Sequence, residues 1–592
     1  MTPSERHRPL EFDARRLQRE KEWHRRDREF WQARNEVSLT WATTEERREW
    51  FQIEQRREAL QQTTLADSGR RAYDRLPRDA DDEEVNAWAD RRAHGVGRIV
   101  AGIDDSWAAY AQAKNYVGCY DIEAPEPKKP GQRGPTIASC IRKMMSPRWW
   151  RGVGRRAHMR RWELEAIRAG GVNSKAASCA SDWAVAFLEQ RRKACAGFLE
   201  SLVAINEDDE EISLADVSKA TNANPAIRRA ELMARVKGME VTAEQHGDRP
   251  YFVTLTLASR YHPWLSAGGR NKAYDGASTP RTAQAVLCEQ WNRIRAVLNY
   301  HEVRWYGLRV AEPHHDATPH WHLLLFIAPD HVGLVLKAIR AEALKESPDE
   351  PGAKKRRVTI KRIRPGDGTP TGYVSKYISK GVDGFGLTSA ATRGDDGQLT
   401  LAGFDTVQHA QRVTAWARIW GIRQFQFCGT PPQTVARELR RIREEQMALP
   451  LIEPARVAAD AGDYAAYYAA SGGMCMPRKF RPLWLLREQL PYSVLTNYGE
   501  FKPHAVKGVE AFRQSLVTRI HEWRIERRSP LRGGRESGAP WTRVNNCKPP
   551  SPLCLSDQGQ NLGHPPDLGP IPALQSENSS HERTGNHPHP GR

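Results

Sequence analysis

Paired cysteines are missing from this sequence. Its nine cysteines (Cys119, Cys140, Cys179, Cys195, Cys288, Cys428, Cys475, Cys547 and Cys554) are scattered, odd in number and never spaced as CxxC. That argues against a disulfide framework and a zinc ribbon, and it fits a reducing cytoplasm. Long apolar runs are missing too. No stretch reaches the ~18 residues of a membrane-spanning helix, so no membrane partner is expected. The opening residues, MTPSERHRPLEFDARR, carry charge where a secretory leader needs an apolar core. No internal repeat is visible. No GxxxxGK(S/T) phosphate loop is present, so ATP-driven unwinding is not encoded in a recognisable way.

What is abundant is positive charge. Lys and Arg number 90 against 72 Asp and Glu, a formal net charge of +18 over 592 residues. A surplus of that size points to a polyanionic partner, most often nucleic acid. The length calls for several folded units.

The text changes character along the chain. Residues 1–145 read as a helical accessory region rich in Arg, Glu, Gln and Trp, with a Pro/Gly break at EAPEPKKPGQRGP (123–135). Residues 146–245 are again helical and more basic. Arg155 and Arg156 lie in an arginine cluster there and are candidates for DNA contact, solvated helix faces being the other reading. Near residue 250 the pattern switches. YFVTLTLAS (251–259), HEVRWYGLRVAEP (301–313), HWHLLLFIAP (320–329) and RRVTIKRIRP (356–365) read as strands. TPRTAQAVLCEQWNRIRAVLNY (279–300), residues 332–346 and GYVSKYISKG (372–381) read as helices. RVTAWARIWGIRQFQFCG (412–429) reads as a helix and a short strand, and 435–446 as a helix. Residues 246–446 therefore suggest an α+β domain: an antiparallel sheet with packed helices. Residues 447–525 are mixed and barely legible. Residues 526–592, polar and rich in Pro, Gly, Ser and Asn, are expected to be disordered.

The chemistry-bearing residues fall in 246–446. His320 and His322 stand at i and i+2 on one predicted strand, so both imidazoles face the same way. That is the start of a divalent-metal site. HHDATP joins their strand to the one before it as a hairpin. A turn centred near Asp316 puts Glu312 opposite His320, completing a His-His-Glu set suited to Mg²⁺ or Mn²⁺. A turn shifted by one residue sends Glu312 to the other face and leaves His314 or His315 in its place. Tyr373 and Tyr377, at i and i+4, share a helix face with Lys376 and Lys380 nearby. Val374 and Ile378 form a separate apolar stripe that can dock on the sheet. Two cations beside two phenols suit a phosphodiester site, because they favour phenolate. Lys361, Arg362, Arg364 and Arg423 are further candidates for tracking a DNA backbone.

FVTLTL, then EPHHDATPHWHLLLF, then YVSKYISKG, in that order, resemble the HUH endonuclease superfamily, named for His–hydrophobic–His. More closely, with AWARIWGIRQFQF, residues 145–445 resemble the replication gene A proteins of tailed bacteriophages and their prophage copies. The resemblance implies a central antiparallel sheet of about five strands with the tyrosine helix beside it. It implies that His320 and His322 bind metal, with Glu312 a less constant third ligand, and that Tyr373 and Tyr377 are paired nucleophiles. It also implies a protein of the bacterial host cytoplasm that nicks single-stranded or locally unwound origin DNA and starts rolling-circle replication. No small-molecule cofactor is expected, and a host helicase is the expected partner. Two other readings share parts of the pattern: a conjugative relaxase or HUH transposase, and a non-catalytic DNA-binding regulator with a structural metal. The regulator leaves the tyrosines without a task.

Overall fold

The switch of pattern near residue 250 is where a central sheet begins. The computed structural model describes residues 75–128, 134–386, 406–442, 444, 448–491, 496, 498 and 504–528. The expected helices of residues 1–74 lie outside the described residues, as does the expected disorder of 526–592 from residue 529 onward; Glu526 and Arg527, expected to be disordered, instead pair as strand with Val203 and Leu202.

The first described elements are helices α1 (Asp82–Val100), α2 (Ser106–Gly118), α3 (Ile137–Met144) and α4 (Pro147–Ala169). Asp81 caps α1 in a reciprocal box with Glu84, satisfying two backbone donors that helix geometry leaves over. Trp88, Tyr120 and Trp150 meet edge to face at centroid distances of 5.6–5.8 Å, the arrangement ring quadrupoles favour.

Then come α5 (Asp182–Glu200), β1 (Leu202–Ile205), β2 (Glu211–Ser213), α6 (Leu214–Lys219) and α7 (Pro225–His246). The central region runs β3 (Arg249–Leu255), α8 (Pro280–Tyr300), β4 (Trp305–Pro313), β5 (Pro319–Ile327), α9 (Val332–Ala343), α10 (Ala353–Arg356), β6 (Val358–Arg362), α11 (Pro370–Val382), α12 (Thr406–Trp420) and β7 (Phe425–Cys428). The sheet order is β6-β3-β5-β4-β7 and every neighbouring pair is antiparallel. The expected α+β core with about five strands is therefore present.

All nine residues of β5 are buried. Both faces of the sheet must then be covered, and side-chain alternation assigns each residue its side. Phe252, Leu308, Leu324 and Phe326 form one core with Val236 and Met239 of α7 and Val374 and Ile378 of α11. Val253, Leu323, Leu325 and Ile327 form another with Leu287 and Ile294 of α8 and Ile339 of α9. The apolar stripe Val374/Ile378 docks as its spacing requires; both side chains are fully buried.

α12 closes the end of the β4–β5 hairpin. The fully buried Trp416 donates its ring N–H to the Ala317 carbonyl at 2.8 Å. From the other side, the Cys179 N–H donates to the His315 carbonyl at 3.1 Å. Arg412 of α12 donates to the Ala180 carbonyl at 2.7 Å and so ties the two supports together. Trp416→Ala is expected to cost about 3–5 kcal/mol of stability, read as a lower urea midpoint. A midpoint within experimental scatter of the parent would show that the hairpin holds itself.

The C-terminal part contains α13 (Gln433–Leu439), α14 (Glu453–Ala461), α15 (Tyr464–Ala470) and a three-stranded sheet of β8 (Trp484–Gln489), β9 (His504–Ala511) and β10 (Gln514–Val517). The last described strand, β11 (Arg524–Arg527), pairs with β1.

Candidate metal centre and tyrosine helix

The hairpin register fixes which carboxylate meets the histidines. Glu312 pairs with His320 and Val310 with His322. The turn is therefore centred on Asp316, as the unshifted reading requires. Asp316 itself sets the turn. One carboxylate oxygen accepts from the Thr318 N–H at 3.0 Å, and the other lies 3.1 Å from Nδ1 of His262. Burial alone would raise the Asp316 carboxyl, but the adjacent His262 imidazole holds it well below the usual carboxylate range.

Glu312, His320 and His322 converge. The Nε2 atoms of the two histidines are 2.9 Å apart, and a Glu312 oxygen is 3.6 Å from Nε2 of His322. Ligand nitrogens about 2.1 Å from one cation in an octahedral shell sit roughly 3 Å from each other, so this spacing fits a shared divalent ion. The residues are 7%, 1% and 1% exposed. The second Glu312 oxygen, Oε1, is buried with no hydrogen-bond partner among the described residues. A buried orphan carboxylate oxygen is costly unless something positive faces it. Burial, then the neighbouring His322 and Lys380, push His320 well below its ordinary value, which keeps its imidazole neutral and able to donate a lone pair. Burial acts to raise the Glu312 carboxyl, but His322 and the more distant Lys380 and His409 outweigh it and hold it ionised.

Nδ1 of His322 lies 3.1 Å from the Thr254 hydroxyl. With Nδ1–H donating to that oxygen, the Nε2 lone pair is left for a ligand. Trp321, between the histidines, turns to the opposite core, where its ring N–H donates to Gln284 at 3.0 Å. His314 lies against His320 at a tilt, with centroids 4.1 Å apart, whereas His315 reaches the Leu265 carbonyl.

The tyrosine helix lies over this centre. The Tyr377 and His322 rings have centroids 4.1 Å apart. Phe252 of β3 stacks under Tyr377 at 5.1 Å and meets Tyr373 at a tilt, with centroids 5.0 Å apart. Tyr377 is 3% exposed and Tyr373 is half-buried. Lys361, opposite Phe252 on β6, lies 4.9 Å from the Tyr373 ring. Lys376 is 5.4 Å from the Tyr373 ring and 4.9 Å from that of Tyr377, and Lys380 is 5.8 Å from Tyr377. The helix can approach so closely partly because residue 381 is glycine; a Cβ there would come 2.9 Å from the Phe425 ring.

The structure thus gathers Glu312, His320, His322, Tyr373, Tyr377, Lys376, Lys380 and Lys361. The remaining basic residues stand elsewhere. Arg362 and Arg364 are exposed at and beyond the end of β6, and Arg423 is exposed just before β7, at the opposite edge of the sheet. Arg156 is exposed on α4, but Arg155 is engaged with Asp82 at 2.6 Å, an ion pair that Arg191 shares. Sequence reasoning missed Thr254, Phe252 and His409. Burial and Lys380 lower His409 to about 4 against the opposing pull of Glu312. Thr254 and Phe252 left a trace, as alternating residues of FVTLTL, whereas His409 left none. Cys179, also near Glu312, is no rival nucleophile, since burial pushes its thiol up to about 12.

Comparison with known proteins finds similarity to phage replication proteins. The model of the bacteriophage replication gene A protein (GPA) family matches residues 103–385. The replication gene A protein of Escherichia phage 186 is 40% identical over 66% of this chain and 56% of its own length. That of Escherichia phage P2 is 35% identical over 79% of this chain and 62% of its own. A probable replication endonuclease from a prophage-like region of Salmonella paratyphi A is 34% identical over 70% of this chain and 53% of its own. The chain thus spans little more than half the length of these relatives. No solved structure matches.

Proposed function

We propose that this protein is a metal-dependent DNA endonuclease and ligase of the HUH type. It nicks a replication origin with a tyrosine, stays joined to the 5′ end and starts rolling-circle replication of phage or prophage DNA in the bacterial host cytoplasm. The observation that carries the reading is the Tyr377 ring 4.1 Å from the ring of His322, itself part of a convergent Glu312–His320–His322 set. The replication and endonuclease names of the relatives support it.

Glu312, His320 and His322 would hold a divalent cation, which when bound would supply Lewis-acid charge to the scissile phosphate. The tyrosine oxygen attacks phosphorus in line. A phosphotyrosine ester bond forms as the bond to the 3′ oxygen breaks. The phenolic proton passes to solvent, and the leaving 3′ oxygen takes one up. One phosphodiester replaces another, so religation needs no ATP. Lys376 stabilises phenolate or leaving oxygen, and Lys361 and Lys380 add charge around the phosphate. Two tyrosines one helical turn apart take turns: one holds the displaced 5′ end while the other cuts the regenerated origin. The phosphate must enter a buried site, so the origin is single-stranded or locally unwound. Without a phosphate loop in its sequence, the protein depends on a host helicase for extended unwinding.

The reading is tested with an origin oligonucleotide labelled at either end, Mn²⁺ and a denaturing gel. The expected result is a protein-linked band that keeps only the fragment downstream of the cut, while the other fragment is extended by a polymerase from its 3′-OH. Free fragments with no protein link would reject it. Thr254→Val is expected to leave the fold intact and weaken Mn²⁺ binding about 10–100-fold, measured by calorimetric titration. Unchanged affinity would mean that the threonine does not orient His322.

A further inference from the structure

The small sheet β8-β9-β10 carries a feature that the nicking site does not use. Ala511 pairs with Gln514, so β9 and β10 are joined by a two-residue loop, Phe512–Arg513. Phe512 has φ +40° and Arg513 is not in the positive-φ region. Positive φ at the first loop position alone is the type II′ pattern, where glycine is the residue of choice. A bulky side chain there is strained. The strain is not offset by packing, because Phe512 is 83% exposed. The fold would be better served by glycine, so the aromatic ring calls for a reason outside the fold.

A second exposed aromatic stands at the same end of the sheet. Trp484 pairs with Glu510, which brings the residues just before Trp484 alongside the Phe512 turn. Phe480, 63% exposed, lies in that stretch. In sequence, Arg478, Lys479 and Arg481 flank Phe480, and Arg513 follows Phe512. Lys479 is 4.6 Å from the Phe480 ring, Arg513 is 5.4 Å from Phe512, and Arg478 is 5.8 Å from the partly buried Trp484. Among the described residues, none of these four cations is in an ion pair with a carboxylate. Exposed rings between unpaired cations match single-stranded nucleic acid, whose bases offer open faces and whose phosphates offer charge. A duplex hides its base faces and would leave the rings without a partner.

We propose that this end of the small sheet is a second DNA-contact surface, on which Phe480 and Phe512 stack on unpaired bases of single-stranded DNA while Arg478, Lys479, Arg481 and Arg513 take its phosphates. The proposal rests on the reading that the protein works on origin DNA, but it concerns strand holding and not cleavage.

The test uses the full chain and a fluorescent oligothymidylate of about 30 nucleotides, with anisotropy read against protein concentration. Phe512→Gly relieves the turn, so its melting temperature is expected to equal or exceed that of the parent. Phe480→Ala/Phe512→Gly is expected to bind at least about tenfold more weakly, while saturating amounts of a short origin oligonucleotide still give the covalent band at the parent rate. Lys479→Glu/Arg513→Glu is expected to flatten the salt dependence of binding. Unchanged affinity and salt slope in these variants would overturn the proposal. So would unchanged affinity together with loss of self-association in sedimentation, which would make the rings a contact between copies. A parent that forms the covalent band while its affinity is insensitive to both rings defeats this surface alone. Ring-dependent binding without any covalent band defeats the endonuclease reading and keeps the surface.

Discussion

Tyr373→Phe/Tyr377→Phe is expected to lose covalent joining to DNA by roughly three orders of magnitude or more, the scale on which removal of an essential nucleophile acts. Each change deletes one oxygen and leaves the ring. Tyr377 would keep its contacts with Phe252 and His322, and Tyr373 its contacts with Phe252, Lys361 and Lys376. The melting temperature and the affinity for single-stranded DNA should therefore stay close to those of the parent. That separation matters, because Tyr377 is buried and a larger truncation would confuse chemistry with packing. The single variants should each keep joining of one strand and fail in the second transfer. Joining at the parent rate by the double variant would remove both residues from the chemistry.

Loss of the metal is expected to have an effect of similar size. Chelation, or His320→Ala, should slow nicking roughly a thousandfold, since Lewis-acid stabilisation of a phosphoryl oxygen is worth several kcal/mol and each 1.4 kcal/mol is a decade. Binding of single-stranded DNA should survive, because the exposed arginines and lysines do not depend on the centre. Readdition of Mn²⁺ should restore the chelated protein and leave His320→Ala slow. The buried orphan oxygen of Glu312 gives a second readout. A cation bound there raises the folded protein's stability by mass action, so the parent's melting temperature should rise with Mn²⁺ concentration while that of His320→Ala stays flat. Full nicking activity in excess chelator would show that Glu312, His320 and His322 form a structural cluster.

The parts of this site that could be read from the sequence were local ones. Alternation puts His320 and His322 on one face, and a hairpin with a polar turn allows few registers, so Glu312 followed once Asp316 was taken as the centre. Helical spacing separated Val374 and Ile378 from Tyr373 and Tyr377. The residues that were missed are joined to the site only through tertiary structure. Thr254 reaches His322 because β3 lies next to β5, and Phe252 reaches the tyrosines for the same reason. Lys361 was read as a backbone contact, and its place beside Tyr373 depends on β6 lying next to β3. The same limit explains the fold. The four-residue strand β1 pairs with β11 more than 300 positions away, and short strands with such distant partners leave no periodic signal in a helical stretch. The hairpin β9–β10 was hidden for another reason: its turn holds Phe512 where the usual signal is glycine.

The central claim is tested most directly by finding the bond itself. The protein is reacted with an origin oligonucleotide and Mn²⁺, digested with a nuclease and a protease, and the nucleotide-bearing peptide is sequenced by mass spectrometry. The account predicts one 5′-phosphate ester, on Tyr373 or Tyr377, and a free 3′-OH on the other side of a single nick. A nucleotide carried by any other residue, or a link through a 3′-phosphate, would contradict it.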